Sequence, residues 1–327
     1  MNKLEKALEN FSSKKILVIG DIMLDKFSWG EINRINPEQP AAPLLKIFKE
    51  DYILGGAANT ANNIASLGAE VYLSGVIGND LYGKKLEEIC NKNGIKHHFC
   101  YLNNPTIVKE RGMAHGQQVV RLDYGEQNLK KINSKTKEKL LNKIKNIKNL
   151  NGIILSDYNK IIFQKNFTQE IINYAKLQNI PIIADPKPQN INYFKSCDLI
   201  CPNKIEAEKI TGIKYRKENG TLLEIGRKLS NRLNSNTIIT LGEDGIFIYG
   251  KDGKSQYVQT EAKEVVDVTG AGDTFIATLS LSLASNLNIH DASSLANLAS
   301  GIVVEKSGTS TPTIKEMKNR LKSNRKI

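Results

Sequence analysis

The sequence predicts an α/β protein with a doubly wound, mostly parallel sheet. Short apolar runs alternate with helical patterns along nearly all of the 327 residues, which is the order expected of consecutive βα units. The runs are apolar at consecutive positions, as in strands that are buried on both faces. The composition, with 40% hydrophobic and 24% charged residues, is that of an ordinary globular protein. Together these observations predict one domain over residues 1–327.

The predicted strands of the main sheet are marked by the residues that follow them. Ligands of parallel sheets bind outside the carboxyl ends of the strands. We therefore expect the functional site among the polar and glycine residues at these ends. Five apolar runs each precede such residues: 16–19 before Gly20, 153–155 before Ser156, 181–184 before Asp185, 199–200 before Cys201 and 237–240 before Leu241-Gly242. A sixth apolar run, 71–77, comes after a predicted helix that ends at Gly68.

Two stretches interrupt this alternation, residues 26–53 and residues 99–124. Both show period-2 patterning, which is typical of antiparallel hairpins. We expect the two hairpins to form one small sheet over the mouth of the main sheet, where it would act as a lid. The same pattern is compatible with an edge extension of the main sheet or with a dimer surface.

The charge balance is basic, with 46 Lys and Arg residues against 34 Asp and Glu residues and a net charge of +12. The basic residues are scattered rather than gathered in one arginine-rich block. This distribution favours a solvated surface over nucleic-acid binding. A third interpretation is that a few of these cations face a phosphorylated small molecule.

The sequence contains no pattern typical of a membrane span, a secretory signal or a zinc site. No apolar run reaches the roughly 18 residues that a membrane span needs, and residues 1–15 lack the apolar core of a secretory signal. The four cysteines form no CxxC pair, so we expect buried free thiols rather than a zinc site. We expect a cytoplasmic protein that binds neither membrane nor nucleic acid.

The most informative motif is Gly270-Ala271-Gly272-Asp273, which leads directly into an apolar helical pattern over residues 274–284. The start of a helix presents unpaired N–H groups and the positive end of the helix dipole, and small residues let an anion approach them. Asp273 would then be placed to accept the proton of an attacking hydroxyl group, as phosphoryl transfer requires. The alternative is that Asp273 only caps the helix.

A second glycine motif, Gly55-Gly56-Ala57-Ala58-Asn59, precedes another predicted helix. Paired glycines allow close approach to the backbone, and an asparagine can donate to and accept from sugar hydroxyl groups. Neither glycine motif is followed by the Gly-Lys-Ser/Thr of a Walker A loop, and neither has the GxGxxG spacing of a dinucleotide-binding turn.

Four motifs occur in the order found in the ribokinase/PfkB carbohydrate kinases, and the sequence resembles this family over residues 15–321. They are 20–25 (GDIMLD), 55–59 (GGAAN), 203–206 (NKIE) and 267–273 (DVTGAGD). Further stretches resemble the branch of the family that acts on heptose 7-phosphate: 34–38 (RINPE), 117–123 (QQVVRLD), 155–158 (LSDY) and 301–311 (GIVVEKSGTST). The resemblance implies a ribokinase-like fold with a small β lid. It also implies ATP-dependent phosphorylation of D-glycero-β-D-manno-heptose 7-phosphate at O1, in the synthesis of ADP-heptose for the lipopolysaccharide core.

The resemblance also implies roles for residues on the sugar side. Asp273 matches the catalytic base, and the N–H groups of Gly270, Ala271 and Gly272 match the anion hole. The positions that hold sugar hydroxyl groups in these kinases correspond to Asp25, Gly55, Gly56 and Asn59. Arginine and lysine suit the substrate's own phosphate, and the candidates are Arg34, Arg111, Arg121, Lys160 and Lys187.

On the nucleotide side, the resemblance implies ATP and Mg²⁺. The family's NxxE motif corresponds to Asn203, Lys204, Ile205 and Glu206, with Glu206 expected to support Mg²⁺ through water. The loop beside the nucleotide corresponds to Thr240, Gly242 and Gly245. Asn297 would lie on the helix that flanks the adenine.

The sequence departs from the heptose branch at loops expected to face the substrate. The segment before Arg121 carries fewer cations than the branch usually has, and Asn159 and Pro188 stand where glycines are usual. A kinase of another sugar or sugar phosphate, such as a fructose phosphate or ribose, therefore remains an alternative, as does a basic binding module without catalysis. The resemblance further implies a homodimer through paired lids. Because no HxGH motif occurs, it also implies a separate nucleotidyltransferase in the pathway.

Overall fold

The structure is a computed structural model that describes residues 3–127, 129–217, 220–260, 265–306 and 308–323. Its strands are β1 (Lys15–Gly20), β2 (Ile22–Glu31), β3 (Lys46–Gly56), β4 (Glu70–Gly78), β5 (Lys96–Leu102), β6 (Ile107–Ala114), β7 (Gln117–Tyr124), β8 (Gly152–Ser156), β9 (Ile182–Asp185), β10 (Leu199–Ile200), β11 (Asn236–Thr240), β12 (Ile246–Tyr249) and β13 (Ser255–Val258). Its α-helices are α1 (Lys3–Asn10), α2 (Ala57–Ser66), α3 (Leu81–Lys92), α4 (Ser134–Lys145), α5 (Lys165–Leu177), α6 (Lys204–Thr211), α7 (Thr221–Leu233), α8 (Ala271–Ala284), α9 (Ile289–Val304) and α10 (Ile314–Ser323).

A nine-stranded sheet forms the centre of the protein, in the order β13-β12-β11-β10-β9-β8-β1-β4-β5. The pairings from β11 through to β5 are all parallel, whereas β12 and β13 run antiparallel at one edge. The carboxyl ends of the parallel strands therefore meet at one edge of the sheet, where polar residues follow them. This mostly parallel sheet confirms the predicted fold class.

Helices cover both faces of this sheet, and each face has its own apolar core. On one face, residues of β1 and β4 pack with helices α2, α8 and α9. On the other face, alternate residues of β1 and β8 pack with α4, α5, α6 and α7. Helix α8 lies against both α2 and α9, and burial all round explains why its sequence is apolar on every side. The doubly wound arrangement explains the uninterrupted apolar runs of the strands.

A separate four-stranded sheet has the order β3-β2-β6-β7. β2 pairs antiparallel with β3 and parallel with β6, and β6 pairs antiparallel with β7. The inner end of this small sheet, residues 22–25 and 54–56, is joined to the main sheet and its helices. Strand β2 follows β1 directly, and β3 leads into α2. The predicted bounds of the second hairpin, 99–124, were wrong at their start, because residues 99–102 belong to β5 and pair with β4 of the main sheet. The small sheet thus begins at the carboxyl edge of the main sheet.

From the sequence we predicted buried free thiols, no zinc site and no membrane span. All four cysteines are unpaired and buried: Cys90, Cys100, Cys197 and Cys201. Within the described ranges, no three His, Cys, Asp or Glu side chains gather in a way that could hold a metal ion. No helix in the same ranges has the length and apolar character needed to cross a bilayer.

Candidate active site

Asp273 lies in the first turn of α8 and is only 7% exposed. Its carboxylate accepts three hydrogen bonds from side chains. Asn59 Nδ2 donates to Oδ2 at 2.7 Å, while Thr60 Oγ1 and Tyr158 Oη donate to Oδ1 at 2.8 and 2.9 Å. The carboxylate is thus held by α2 on one side and by the loop after β8 on the other.

The start of α8 is shaped by Gly270, which has a φ of 80° and is the N-cap of the helix. A Cβ atom at this position would lie 2.9 Å from Asn59 Nδ2, so a larger residue would disturb the partner of Asp273. The Ala271 N–H group donates to the Val268 carbonyl at 3.2 Å. Of the three N–H groups predicted for the anion hole, that of Ala271 is therefore already used in the turn.

Burial raises the pKa of Asp273, and the bonds from Asn59, Thr60 and Tyr158 offset part of this rise. A raised pKa brings a carboxylate closer to the range in which a general base is effective. Burial, followed by the charge of Asp273, raises the pKa of Tyr158 well above its ordinary value. Tyr158 therefore stays protonated and acts as a donor to Asp273.

A cleft of about 150 Å³ opens beside Asp273 at the carboxyl edge of the main sheet. It brings together the start of α8 and residues at or just after the carboxyl ends of β8, β9, β10 and β11. The lining residues are Tyr158, Asp185, Lys187, Cys201, Asn203, Glu206, Thr240, Gly270, Gly272, Asp273, Phe275 and Ile276. Six of the residues predicted for the catalytic and nucleotide sites thus line one space, and Lys187 joins them there.

Asn203 and Glu206 form a capping box at the start of α6. The Asn203 side chain accepts the Glu206 N–H group at 3.0 Å, and Glu206 Oε2 accepts the Asn203 N–H group at 2.9 Å. Glu206 Oε1 lies 2.5 Å from Lys187 Nζ. Burial alone would lower the pKa of Lys187, but the carboxylates of Asp185 and Glu206 outweigh it and raise that pKa.

The fit of Mg²⁺ to this cleft follows from these contacts. Both Glu206 oxygens already have partners, so the residue suits a metal ion held through water rather than directly. Asp185, at the end of β9, adds a second carboxylate to the cleft, and burial raises its pKa. The donor set is oxygen-rich, as Mg²⁺ prefers, with few direct protein ligands.

On the sugar side, Asp25 lies in β2 and is largely buried. Its Oδ1 lies 2.6 Å from Arg111 Nη1 of the neighbouring strand β6. A Cβ atom at Gly55 would come within 2.6 Å of Asp25 Oδ2, which explains the glycine at the end of β3. Gly56 then caps α2, which carries Asn59 and Thr60. The second glycine motif therefore leads directly to the residues that hold Asp273.

The loop that carries Tyr158 is fixed by two buried aspartates that the sequence analysis did not assign to the site. Asp21 accepts four backbone N–H groups, from residues 158, 160, 161 and 162, at 3.0–3.2 Å. Asp157 accepts the N–H groups of Asn159 and Lys187 at 2.7 and 2.9 Å. Together they tie the ends of β1, β8 and β9 to one another.

The remaining cations predicted for the substrate phosphate do not line the cleft. Arg121 pairs with Asp123 through two nitrogens at 2.8 Å, and Lys160 Nζ lies 2.7 Å from Glu126. Arg34 is exposed in the loop between β2 and β3. Of the five candidates, only Lys187 lines the cleft, beside the residues predicted for the nucleotide.

The other residues predicted for the nucleotide lie around the same edge of the sheet. Gly242 and Gly245 bracket a short turn after β11. Asn297 in α9 is largely buried and donates to the Gln259 carbonyl at 2.7 Å. Ile205 is 59% exposed on α6, and Lys204 Nζ lies 5.5 Å from the centre of the Tyr215 ring.

Sequence reasoning gave no specific role to Tyr158, Thr60 or Asp185, although Asp185 was among the strand-end residues where the site was expected. Tyr158 and Asp185 each stand at the carboxyl end of a parallel strand, and this position was the available signal. Thr60 follows Asn59 in α2, but nothing in its local sequence distinguishes it from a core threonine. Thr60 and Tyr158 both make their contacts with Asp273, which is distant from them in the chain.

The family model for pfkB family carbohydrate kinases matches residues 13–316. The chain belongs to this family. The curated relatives of this kinase include the bifunctional protein HldE of Hydrogenovibrio crunogenus, 38% identical over 96% of the chain, and that of Campylobacter concisus, 40% identical over 94%. The chain spans 64% and 65% of the length of these two relatives.

Solved structures share the fold of this carbohydrate kinase. Phosphofructokinase-2 from Escherichia coli, in complex with substrates and products, has a TM-score of 0.78 at 16% identity and covers 95% of this chain and 99% of its own. Arabidopsis thaliana ribokinase, complexed with ribose and ATP, has a TM-score of 0.72 at 19% identity and covers 94% and 99%. These likenesses confirm the ribokinase-like fold.

Proposed function

We propose that this kinase transfers the γ-phosphoryl group of ATP to O1 of D-glycero-β-D-manno-heptose 7-phosphate, which yields the 1,7-bisphosphate and ADP. The observation that carries the proposal is that Asp273 lies between the sugar-side motif and the cleft. Its carboxylate contacts Asn59 of the sugar-side motif and also lines the cleft that contains Asn203, Glu206 and Lys187. The similarity to HldE over nearly the whole chain supports the heptose phosphate as acceptor.

In this reaction Asp273 accepts the proton of the O1 hydroxyl as the oxygen attacks the γ-phosphorus. A bond forms between O1 and phosphorus, and the bond from that phosphorus to the bridging oxygen breaks, so that ADP leaves. The N–H groups at the start of α8 face the charge that develops on the transferred group. Tyr158, Asn59 and Thr60 keep the carboxylate in place while it takes up the proton.

The nucleotide phosphates would lie in the cleft beside Lys187, Asn203 and Glu206. A magnesium ion, when bound, neutralises charge on these phosphates. Lys187 is well suited to the same task, because its neighbouring carboxylates keep it charged. Thr240 and the turn from Gly242 to Gly245 would border the nucleotide, and Asn297 would lie beside its base.

The small sheet would act as a lid that excludes water, which competes with the sugar as acceptor. We also propose that two copies pair through these sheets as a homodimer. Strand β7 is exposed along its whole length and presents four large apolar side chains that are each about 40% exposed: Val119, Val120, Leu122 and Tyr124. An apolar sheet face of this kind is typical of an interaction surface. ADP-heptose synthesis from the 1,7-bisphosphate would further require removal of the 7-phosphate and nucleotidyl transfer to the 1-phosphate, which a nucleotidyltransferase would catalyse.

A substrate panel tests the proposed function. ADP release would be measured with heptose 7-phosphate, fructose 6-phosphate, fructose, ribose and no sugar. The proposal predicts the highest kcat/KM with the heptose phosphate. A preference for a C6 or C5 acceptor would contradict the heptose assignment but leave the kinase intact. Salt-sensitive binding of a DNA duplex without ADP release would instead favour a binding module.

A further inference from the structure

Lys109 stands out among the cations near the site. It lies in β6, where its backbone is opposite Asp25 of β2 and Asp123 of β7. Its ammonium group lies 5.9 Å from the centre of the Tyr158 ring, in the loop after β8 of the main sheet. The hydroxyl group of the same ring donates to Asp273. Lys109 is therefore separated from the proposed base by a single side chain.

The neighbouring cations each have a carboxylate partner. The pairs are Arg111 with Asp25 at 2.6 Å, Arg121 with Asp123 at 2.8 Å, Lys160 with Glu126 at 2.7 Å, Lys187 with Glu206 at 2.5 Å and Lys26 with Glu50 at 2.8 Å. Within the described ranges, Lys109 has no ion pair, although it is half-buried. A half-buried charge without a partner is costly, and a bound anion would remove that cost.

The charges around Lys109 also favour a bound anion. Burial, and after it the positive charge of Lys160, lower the pKa of Lys109, and the carboxylates of Asp25 and Glu126 offset only part of this fall. Lys187 has the opposite surroundings, since Asp185, Glu206 and Asp157 all favour its charged form. The two lysines both lie near the Tyr158 ring, but Lys187 contacts the Glu206 carboxylate, whereas Lys109 has no ion pair in the described ranges.

We infer that Lys109, with Lys160 beside it, binds the phosphate of the acceptor sugar, the group that lies away from the reacting hydroxyl. The inference rests on the proposed function. A sugar with one hydroxyl at Asp273 would extend past the Tyr158 ring towards Lys109 in the small sheet. Its phosphate would supply the negative partner that Lys109 lacks. Lys187 then serves the nucleotide, and Lys109 sets the preference for phosphorylated over unphosphorylated acceptors.

The test compares kcat/KM for matched pairs of acceptors: heptose 7-phosphate and heptose, fructose 6-phosphate and fructose, ribose 5-phosphate and ribose. In Lys109→Met, kcat/KM for the phosphorylated acceptor should fall about 30-fold, because a charge-assisted bond is lost. Most of the loss should appear in KM, and the unphosphorylated partner should change less than about threefold. Lys109→Arg should recover most of the lost preference, because it restores the charge.

Lys49→Met is the matched control, since Lys49 is an exposed lysine of the same small sheet that pairs with Asp51. It should leave every ratio unchanged, and thermal unfolding should show that both methionine variants fold. An equal loss on both members of a pair, or no loss in Lys109→Met, would overturn the inference. So would a wild-type enzyme that accepts no phosphorylated sugar. Lys109-dependent use of fructose 6-phosphate without use of heptose 7-phosphate would refute the proposed function alone.

Discussion

The phenol oxygen of Tyr158 lies 2.9 Å from Oδ1 of Asp273 and donates a hydrogen bond to it. With Asn59 and Thr60, it gives a buried carboxylate three donors from two different parts of the chain. This arrangement explains how Asp273 can stay ionised in an enclosed site and still bind a proton, because burial and hydrogen bonding act on its pKa in opposite directions.

Tyr158→Phe should move the acid limb of the kcat/KM profile to higher pH. The substitution removes one bond to the carboxylate, and that bond holds the pKa of Asp273 down. The pKa should therefore rise further, and turnover below that pKa should decrease. Tyr174→Phe is the control, because Tyr174 lies in α5 and packs against the core of the opposite face. An unchanged acid limb in Tyr158→Phe would show that the hydroxyl does not influence the base.

Gly272→Ala should fold normally and lose activity. A Cβ atom at Gly272 would meet no protein atom within 4 Å, and the residue lines the cleft. Alanine is also the better helix former, by up to about 1 kcal/mol. The added methyl group would instead obstruct the approach of the phosphoryl group, so we expect a fall in kcat of about tenfold or more. Thermal unfolding and single-turnover rates measure the two effects separately.

Gly270→Ala, unlike Gly272→Ala, should reduce stability. Its φ of 80° and its contact with Asn59 Nδ2 predict a loss of stability as well as of activity. Full turnover in a normally folded Gly272→Ala would show that no phosphoryl group approaches the start of α8.

Asp157→Asn should flatten the pH dependence of stability between about pH 4 and pH 7. Burial raises the pKa of Asp157 to about 6, from an ordinary value of 3.8. The folded state therefore holds this proton more tightly than the unfolded state, and the resulting stability is lost as pH rises through about 6. The free energy of unfolding of the wild type, relative to the variant, should fall by up to about 3 kcal/mol over this range.

Chemical denaturation at several pH values would measure this difference. Asp252→Asn is the control, because a hydrogen bond from the Lys254 N–H group lowers the pKa of that exposed carboxylate. Its effect should be small and opposite in sign. A wild-type curve parallel to that of Asp157→Asn would show that Asp157 titrates at the same pH in the folded and unfolded states.

Much of the fold could be predicted from the sequence, because local patterns determine it. The runs at 16–19 and 153–155 are apolar throughout, and in the structure they are the central strands β1 and β8. The family resemblance also indicated Asp273 and Asn59, which are 214 positions apart and are now seen in contact.

The contacts of individual side chains could not be predicted in the same way. Arg111 and Lys109 are two residues apart in β6, yet Arg111 pairs with Asp25, whereas Lys109 has no ion pair in the described ranges. Lys187 was expected at the substrate phosphate but lies in the cleft beside Glu206. These outcomes depend on which carboxylates other strands bring near, and this information lies in the tertiary structure.

The central claim is that Asp273 accepts the proton of the sugar hydroxyl, and Asp273→Asn tests it most directly. Asparagine keeps the size of the side chain but cannot take up the proton. With ATP and heptose 7-phosphate, we expect kcat to fall about 1,000-fold or more, while the Kd for ATP and the melting temperature stay near those of the wild type. Turnover close to that of the wild type, in a folded variant that binds ATP, would contradict the account.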